Sequence, residues 1–291
     1  MSFTLNGKVA IITGANQGFG LEISRKYVNA GASIVMCARN CDLLTKAQKK
    51  LTSGLAPGQV VEAIPADVSD IQSVEKLIKA TLQRFGRIDI LVNNAGIYGP
   101  MGPIEEVDWA QWIKAIEINL FGSILMCRAV LPTMKGQHKG KIIQLSGGGA
   151  TNPMPNISAY AASKAAIVRF AETLAEEVHE FNIDVNAIAP GALNSRMLDE
   201  VLAAGPEKVG QAFFDKSIKQ KESGGTGFDK GADLAVFLAS DDSNGITGKL
   251  ISAMWDKWEH WPERLDELRT SDVYTLRRIV GRDRGLSWGD K

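Results

Sequence analysis

Seven short runs of aliphatic and β-branched residues alternate with amphipathic stretches along the chain, and this alternation restricts the fold more than any other feature. Runs of this length and composition are typical of strands in a parallel sheet that is buried on both faces. The short links between them favour right-handed crossovers, and we predict an α/β fold with a doubly wound parallel sheet. The predicted strands lie within residues 8–15, 32–39, 60–67, 88–96, 140–147, 183–191 and 249–254.

Two of the intervening segments carry helix patterns with recognisable ends. Residues 19–31 have the apolar spacing of a helix and close on Gly31, a residue type that commonly ends helices. Residues 69–86 begin at Ser69, a candidate N-cap, and close on Gly86 in the same way. Both patterns fit crossover helices between strands.

Two segments interrupt the alternation and suggest how the chain is organised. A length of 291 residues suits one large domain with an appendage, which we assign to residues 1–255 and 256–291. Residues 192–230 follow the sixth predicted strand, at the end of the sheet where ligands bind in such folds, and we predict a mobile lid there. The appendage is too apolar in places for plain disorder, and residues 261–269 and 271–280 are each predicted as a short helix.

Composition excludes several classes of protein. Lys+Arg and Asp+Glu are balanced at 33 each, so no net field attracts nucleic acid or an anionic membrane. We find no N-terminal signal pattern and no apolar run long enough to span a bilayer, and expect no membrane partner. Three scattered histidines and an odd number of cysteines, without a CxxC pair, predict neither a metal site nor a disulfide framework, so we expect a cytoplasmic protein. These residues are Cys37, Cys41, Cys127, His138, His179 and His260.

A glycine-rich turn, TGANQGFG at residues 13–20, directly follows the first predicted strand and opens the first helix. Glycines here allow a tight turn, close approach of the backbone to a pyrophosphate, and close packing of helix on strand. The helix N-terminus adds free amides and a positive dipole end. A turn that only reverses the chain is the alternative, but its place after the first strand favours a dinucleotide site. The predicted contacts are Gly14, Asn16, Gln17, Gly18, Phe19 and Gly20.

Residues at the ends of the second and third predicted strands indicate which nucleotide the chain binds. An acidic residue at the end of strand two would favour the ribose 2′-hydroxyl of NAD, but this chain has Arg39 there. An arginine can pair with a 2′-phosphate, which favours NADP(H) as the cofactor, with NAD and a solvated surface arginine as the alternatives. After strand three, Asp67 is predicted to bind the adenine amino group or to cap the next helix, with Val68 over the adenine ring.

The order of the motifs resembles that of the short-chain dehydrogenase/reductase family, in its single-domain branch. The resemblance covers residues 5–255 and rests on TGANQGFG, NNAG, IEINLFG, YAASK and PG, which begin at residues 13, 93, 116, 160 and 190. It implies a Rossmann fold with a seven-stranded parallel sheet, an NAD(P) cofactor, and hydride transfer between a carbonyl and a secondary alcohol on a small molecule. The absent closing Gly-Gly pair and the appendage depart from the family pattern.

The resemblance also implies roles for individual residues. Tyr160 resembles the proton donor or acceptor, Lys164 the residue that lowers its pKa and holds the nicotinamide ribose, and Asn119 the residue that holds a water in a proton relay to the lysine. Three residues resemble the stretch near the adenosine ribose: Asn93, Ala95 and Gly96. Pro190 and Gly191 resemble the turn that lines the nicotinamide, and Ser195 resembles the residue that bonds the carboxamide.

The spacing of Tyr160 and Lys164 supports this interpretation independently of the family. The two residues are i and i+4 on one helix face, so hydroxyl and ammonium can share a site. A free tyrosine titrates near 10, and a cation within about 4–6 Å lowers such a pKa by about 1–3 units. We therefore predict a lowered pKa for Tyr160, which would act as a general acid or base.

The hydroxyl expected to bind the substrate oxygen is displaced in this chain. The family commonly has a Ser-Ser pair at the end of strand five, whereas this chain has Ser146 followed by Gly147. The glycine run can shift the backbone and bring Ser146 into place, and we predict Ser146 as the donor. A backbone amide of the run, the Asn152 side chain, and simple strand termination are the alternatives.

These observations predict an NADP(H)-dependent oxidoreductase of a carbonyl/alcohol pair. An NAD-dependent dehydrogenase is one alternative, and a non-catalytic dinucleotide sensor or scaffold is another. Wide apolar faces on residues 105–134 and 160–181 predict a homodimer or homotetramer. The appendage is predicted to pack on the substrate cleft through Trp255 and Trp258, or at a subunit interface.

Overall fold

A computed structural model of the protein describes residues 3–288 and contains a seven-stranded sheet in the order β3-β2-β1-β4-β5-β6-β7. Every neighbouring pair of strands is parallel, which confirms the predicted doubly wound fold. All seven predicted strands are present, each a few residues shorter than its apolar run. They are β1 Val9–Thr13, β2 Ser33–Ala38, β3 Val61–Pro65, β4 Ile90–Asn93, β5 Gly140–Leu145, β6 Ile183–Ala189 and β7 Leu250–Ser252.

Helices cover both faces of the sheet. One core joins α1, α2 and α10 to side chains such as Ile12 and Met36, and the other joins α3, α5 and α6 to side chains such as Ile11 and Val35. Neighbouring strand residues thus enter opposite cores, as the pleat requires. The helices are α1 Gly18–Asn29, α2 Cys41–Leu51, α3 Ile71–Phe85, α4 Trp109–Ile116, α5 Gly122–Gln137, α6 Ser158–Val178, α7 Arg196–Ala204, α8 Pro206–Val209, α9 Gln211–Glu222, α10 Phe228–Ala239 and α11 Leu265–Thr270.

Two predicted helix ends are wrong by one residue. The C-cap of α1 is Ala30, and Gly31 follows it with φ 100°. The N-cap of α3 is Asp70, whose carboxylate accepts a hydrogen bond from the amide of Gln72 at 3.2 Å. Ser69 does not cap α3; its hydroxyl and its amide both donate to the carboxylate of Asp67. Asp67 is not the cap either, because Asp70 holds that position. Gly86 ends α3 in the left-handed conformation, as predicted.

The helical stretch Trp109–Gln137 corrects the expectation that no apolar segment could span a bilayer, since its length and hydropathy are sufficient. The stretch consists of α4, a π-helical turn at Glu117–Phe121, and α5. It lies on the sheet of a globular domain, and Met126, Cys127 and Val130 pack in the core shared with α3 and α6. The opposite side of the stretch exposes apolar side chains, among them Trp109 and Phe121.

The segment predicted as a lid is mostly helical. Helices α7, α8 and α9 lie within residues 192–230, between β6 and α10. The base of the segment is closed where Leu193 pairs with Thr226, whose amide donates to the carbonyl of Ala192 at 2.9 Å. Its mobility stays a prediction.

The appendage follows only part of its prediction. A 3₁₀ turn at Trp258–Arg264 and α11 together cover the first predicted helix. Residues 271–280 form no helix, because this segment runs past β7 and its carbonyl groups bond to side chains and amides of the main domain. The second predicted helix is therefore wrong.

The two tryptophans predicted to contact the cleft have different environments. Trp258 is buried against Phe3 and Phe237 in the core under α10, so its predicted contact with the cleft is wrong. Trp255 is 87% exposed and lines the cleft described below. A subunit contact by the appendage stays a prediction.

Candidate active site

A large cleft opens at the carboxyl ends of the strands, at the point where the connections after β1 and β4 run in opposite directions. This topological switch point is where open α/β sheets bind ligands. The cleft has a volume of about 1520 Å³. That volume exceeds the roughly 300–1,000 Å³ of a pocket for one drug-sized ligand, so a dinucleotide and a smaller molecule can share it.

The glycine-rich turn forms one wall of the cleft. Gly14, Asn16, Gln17, Gly18 and Phe19 all line it. The N-cap of α1 makes no side-chain hydrogen bond, which leaves the first amides of this helix for an anion. Gly18 has φ 56°, and an added Cβ there would meet nothing within 4 Å, so the wall offers open backbone for a close ligand.

Gly20 does not line the cleft but sets how closely α1 approaches the sheet. A Cβ at this position would overlap Nδ2 of Asn94 and the carbonyl oxygen of Gly14. Asn94 Nδ2 donates to the carbonyl oxygens of Thr13 and Gly14, at 2.9 and 3.2 Å. The third glycine therefore packs helix on strand, as its spacing predicted.

Asn94 is a site residue that the sequence analysis missed, and Asn93 was assigned in its place. Asn93 is 3% exposed and donates to the carbonyl of Ser123 on α5, away from the cleft. The Asn93 side chain therefore supports the sheet against α5, and the contact of this residue with the cofactor stays a prediction. Strand alternation could have separated the two, because Asn93 is the last residue of β4 and faces the core shared with α5. Ala95 and Gly96 line the cleft as predicted.

The far end of the cleft carries the residues predicted to bind the adenosine part of the cofactor. Arg39, Asp67 and Val68 all line it. Burial acts to raise the pKa of Asp67, but hydrogen bonds from Ser69 and the charges of Arg39 and Lys114 outweigh burial and hold this pKa below its usual value. The Asp67 carboxylate is thus ionised at neutral pH and accepts hydrogen bonds.

Asn119 lies in the π-helical turn behind the cleft, and its side chain is fully used. Its Oδ1 accepts from the amide of Ile97 at 2.8 Å, and its Nδ2 donates to the Ile97 carbonyl and to the Ser163 hydroxyl. A Cβ added at Gly96 would lie 3.2 Å from Oδ1 of Asn119 and 3.7 Å from Nζ of Lys164. Asn119 thereby fixes the strand-to-cleft segment beside the lysine. Such π-turns are frequent at functional sites.

Tyr160 and Lys164 project from the first turns of α6 into the cleft, as their spacing predicted. Nζ of Lys164 donates to the carbonyl of Leu145 at 2.6 Å and lies 5.5 Å from the centroid of the Tyr160 ring. Burial lowers the pKa of Lys164 to about 8. Burial, and then the neighbouring Tyr98, raise the pKa of Tyr160 above its ordinary value.

The prediction that Lys164 lowers the pKa of Tyr160 is therefore wrong for the protein by itself. The physical reason is desolvation. Both side chains are buried, and burial disfavours the charged form of each, the phenolate of Tyr160 and the ammonium of Lys164. The lysine charge is shared with the Leu145 carbonyl rather than directed at the phenol oxygen. Tyr160 is thus a protonated phenol at neutral pH, which is the form that can donate a proton.

Ser146 and Gly147 both line the cleft, and they differ in their relation to Tyr160. The Ser146 hydroxyl lies in the cleft wall, buried and without a hydrogen-bond partner. It does not bond to Tyr160. Gly147 is the residue next to the phenol, since a Cβ there would overlap the Tyr160 hydroxyl. The role of Ser146 as donor stays a prediction.

The remaining predicted residues line the cleft near the base of the helical lid. These are Pro190, Gly191 and Ser195. Gly191 has φ 97°, and an added Cβ would lie 2.9 Å from Met254. Ser195 precedes α7 as its N-cap, yet its side chain makes no capping bond, so its hydroxyl is free to bind a ligand.

Comparisons with known proteins agree with this fold. The family model described as short chain dehydrogenase matches residues 8–205. The chain is similar to dehydrogenase/reductase SDR family member 4 of Caenorhabditis elegans, with 36% identity over 247 residues, covering 84% of this chain and 93% of the relative.

Two solved structures with bound nucleotide are also similar. NAD+-bound xylitol dehydrogenase superposes with a TM-score of 0.76 at 29% identity, covering 85% of this chain and 97% of that chain. A gluconate 5-dehydrogenase from Burkholderia cenocepacia J2315, in complex with NADP and tartrate, gives 0.75 at 29% identity, covering 86% and 95%. The chain belongs to the short-chain dehydrogenase/reductase family, whose enzymes interconvert alcohols and carbonyl compounds with NAD(P).

Proposed function

We propose that this protein is an NADP(H)-dependent reductase of small carbonyl compounds, with Tyr160 as the general acid. The observation that carries the proposal is the buried, protonated phenol of Tyr160 in the cleft, with Lys164 and Asn119 behind it. A phenol in this state donates a proton to a carbonyl oxygen and, in the reverse direction, accepts one from an alcohol.

The residues of the cleft fit a dinucleotide. The open backbone at Gly18 and the uncapped N-terminus of α1 suit a pyrophosphate. The hydroxyl of Ser195 suits the carboxamide. A bound nicotinamide would supply or accept the hydride in the reaction.

The choice of NADP(H) rests on Arg39. Its side chain is exposed at the end of β2 and lines the cleft. The carboxylate of Asp67 at the end of β3 lies within electrostatic range of Arg39, but it already accepts hydrogen bonds from Ser69. A guanidinium binds a phosphate through two parallel hydrogen bonds, so Arg39 favours the 2′-phosphate over a free ribose hydroxyl.

The chain's own residues position the proton transfer. The Leu145 carbonyl holds Nζ of Lys164 on the buried side of α6, where a cation stabilises the phenolate that remains after Tyr160 gives up its proton. Asn119 and Ser163 are joined by a hydrogen bond of 3.0 Å, and Ser163 in turn donates to the Tyr160 carbonyl at 2.7 Å. This network fixes the turn of α6 that carries the phenol.

The general-acid role is tested with Tyr160→Phe. We expect loss of the proton donor to lower kcat for reduction of 2,3-butanedione and D-xylulose with NADPH by about 10³-fold, while the NADPH Kd measured by fluorescence changes little. The phenol hydroxyl has no hydrogen bond within residues 3–288, so the unfolding free energy should not fall. Full turnover by this variant would overturn the general-acid role of Tyr160. Absence of turnover by the unchanged protein with every carbonyl compound tested would support the sensor or scaffold alternative.

The cofactor preference is tested with Arg39→Ala. We expect the Kd for NADPH to rise by about 10- to 100-fold, because a hydrogen-bonded charge pair is lost, and the Kd for NADH to change by less than about threefold. Arg25→Ala on the outer part of α1 is the matched control, since Arg25 pairs with Glu22 and does not line the cleft. Equal weakening of both cofactors, or tighter NADH binding in the unchanged protein, would favour the NAD-dependent alternative.

We also propose that the protein is a homodimer or homotetramer. Trp109, Ile113 and Phe121 expose large apolar surface on the stretch formed by α4, the π-turn and α5, where the sequence predicted a subunit contact. Light scattering of Ile113→Lys should show a smaller particle than the unchanged protein. The three free cysteines fit the cytoplasmic location that we expect, and cell fractionation would test it.

A further inference from the structure

The appendage covers an edge of the central sheet. β7 is the last strand in the sheet order, so its outer side would present unpaired backbone groups to solvent. Two of these groups are amides, and both are occupied by the chain after β7. The amide of Leu250 donates to the carbonyl of Tyr274 at 2.8 Å, and that of Ser252 donates to the carboxylate of Asp256 at 2.7 Å.

Side chains of the main domain also bond to the segment after β7, at residues 271–276. Nζ of Lys249 donates to the carbonyls of Ser271 and Val273, at 3.2 and 3.0 Å. The carboxylate of Glu172 on α6 accepts from the amide of Leu276 at 2.6 Å. The ring of Tyr274 lies 4.4 Å from that of Trp261, which is itself buried.

The other edge of the sheet needs no such cover. β3 ends in Pro65, which has no amide hydrogen to donate, and Glu62 on this strand pairs with Arg84 of α3. Proline and charge are common means of discouraging pairing at an edge strand. β7 has the sequence Leu-Ile-Ser, which carries neither proline nor charge.

We propose that residues 271–276 are an intramolecular cap that prevents a second copy of this chain from pairing through β7. Without the cap, two β7 strands would meet edge to edge, because identical edges present complementary donors and acceptors in an antiparallel arrangement. The cap therefore restricts assembly to other faces of the protein. It also connects β7 to α6, the helix that carries Tyr160.

The cap is tested in the full chain with Lys249→Met, Glu172→Ala and Arg169→Ala combined, since the Arg169 guanidinium also donates to the Leu276 carbonyl. These changes remove the side-chain bonds from the main domain to residues 271–276 and leave β7 intact. The matched control is Lys257→Met with Glu259→Ala and Arg264→Ala, an equal charge change at exposed positions of the appendage. We expect the triple variant to lose hydrogen-exchange protection at the Leu250 amide by at least about tenfold and to double its mass in light scattering as concentration rises.

Two results would overturn the proposal. One is an unchanged mass in a variant whose Leu250 amide has become unprotected, since the open edge would then not recruit a second copy. The other is a Leu250 amide that stays protected although the Lys249, Glu172 and Arg169 anchors are all gone, since these contacts would then not hold the cap. Circular dichroism of the variant and the control separates either result from general unfolding.

A different observation concerns the group that binds the substrate oxygen beside Tyr160. Gly147 has no side chain next to the phenol, and the Ser146 hydroxyl is enclosed in the cleft wall. Tyr98 lines the cleft, is partly exposed, and packs edge-on against Tyr160 with ring centroids 4.7 Å apart. Its hydroxyl makes no hydrogen bond with any of residues 3–288.

We infer that Tyr98 supplies the second hydrogen bond to the substrate oxygen, an assignment that rests on the proposed function. Two phenols on neighbouring rings in one enclosed cleft can both reach a single carbonyl oxygen, and each donated bond stabilises the oxyanion that forms. The neighbouring helix α7 also faces Tyr98, since the Glu200 carboxylate, after burial, raises the pKa of Tyr98. Tyr98 is therefore protonated and able to donate.

The assignment is tested by comparing Tyr98→Phe with Ser146→Ala in reduction of 2,3-butanedione by NADPH. We expect Tyr98→Phe to lower kcat/KM by about 10²-fold with the NADPH Kd unchanged, and Ser146→Ala to change it by less than about threefold.

The opposite ranking of the two variants would assign the role to Ser146 and overturn ours. So would full activity in both of them. Tyr160→Phe is measured in the same assay. If this variant keeps its activity, the proposed function fails. If Tyr160→Phe is inactive and Tyr98→Phe is fully active, only the assignment of Tyr98 fails.

Discussion

The two halves of the cleft are built by different means. On the nucleotide side, the working groups are backbone amides and glycine surfaces at the start of α1, with Arg39 exposed at the rim. On the catalytic side, the working groups are the buried side chains of Tyr160, Lys164 and Asn119. The first side depends on local chain geometry, whereas the second depends on desolvation, which raises the pKa of Tyr160 and lowers that of Lys164.

Gly147→Ala tests the catalytic side through turnover, because it would place a methyl group against the Tyr160 hydroxyl. Displacing a reacting group by about 1 Å can lower a rate by about 10²-fold, so we expect kcat to fall by that amount. Gly148→Ala is the matched control, because an added Cβ there meets nothing within 4 Å. Equal turnover in both variants would show that the catalytic side tolerates displacement and would weaken the contrast between the two halves.

Gly20→Ala tests the nucleotide side through stability. The added methyl group must push α1 away from Asn94 and Gly14, and we expect the unfolding free energy in urea to fall by about 1–3 kcal/mol. Gly136→Ala in α5 has open space around its Cβ and should raise stability by about 0.5–1 kcal/mol. A Gly20 variant as stable as the Gly136 variant would contradict close helix-on-strand packing.

Lys164→Met tests the catalytic side through pH. The folded pKa of Lys164, about 8, lies below its ordinary value of 10.5, so the unfolded chain binds more protons between these values and wild-type stability rises with pH there. We expect the variant to be inactive yet more stable by about 1–2 kcal/mol at pH 7, because a buried charge is removed. Its advantage should shrink as the pH rises from 8 toward 10.5.

Urea unfolding of both proteins at pH 7 and pH 10 measures this difference. A variant that is less stable than the wild type at pH 7 would mean that the bond to the Leu145 carbonyl outweighs the desolvation of the lysine. The ammonium of Lys164 would then stabilise the folded state.

Much of the fold and site follows from local sequence. The seven apolar runs predict the strands and the parallel sheet because a strand buried on both faces needs a continuous apolar run. The glycine-rich turn and the Tyr160–Lys164 spacing are equally local, since each depends on a few residues of one turn or one helix face. Position at the carboxyl ends of the strands then brings these separate segments into one cleft.

Other features depend on groups far apart in the chain, and only the tertiary structure decided them. The pKa values of Tyr160 and Lys164 depend on burial by several elements, so the spacing of the pair predicted its location but not the direction for the tyrosine. Asn94 gained its role from contact with Thr13 and Gly14, some eighty residues earlier. Residues 271–280 have the local pattern of a helix, yet the edge of β7 and the side chain of Lys249 hold them in a non-helical path with a turn at Tyr274. The reason is that unsatisfied backbone groups at a sheet edge outweigh weak helix propensity.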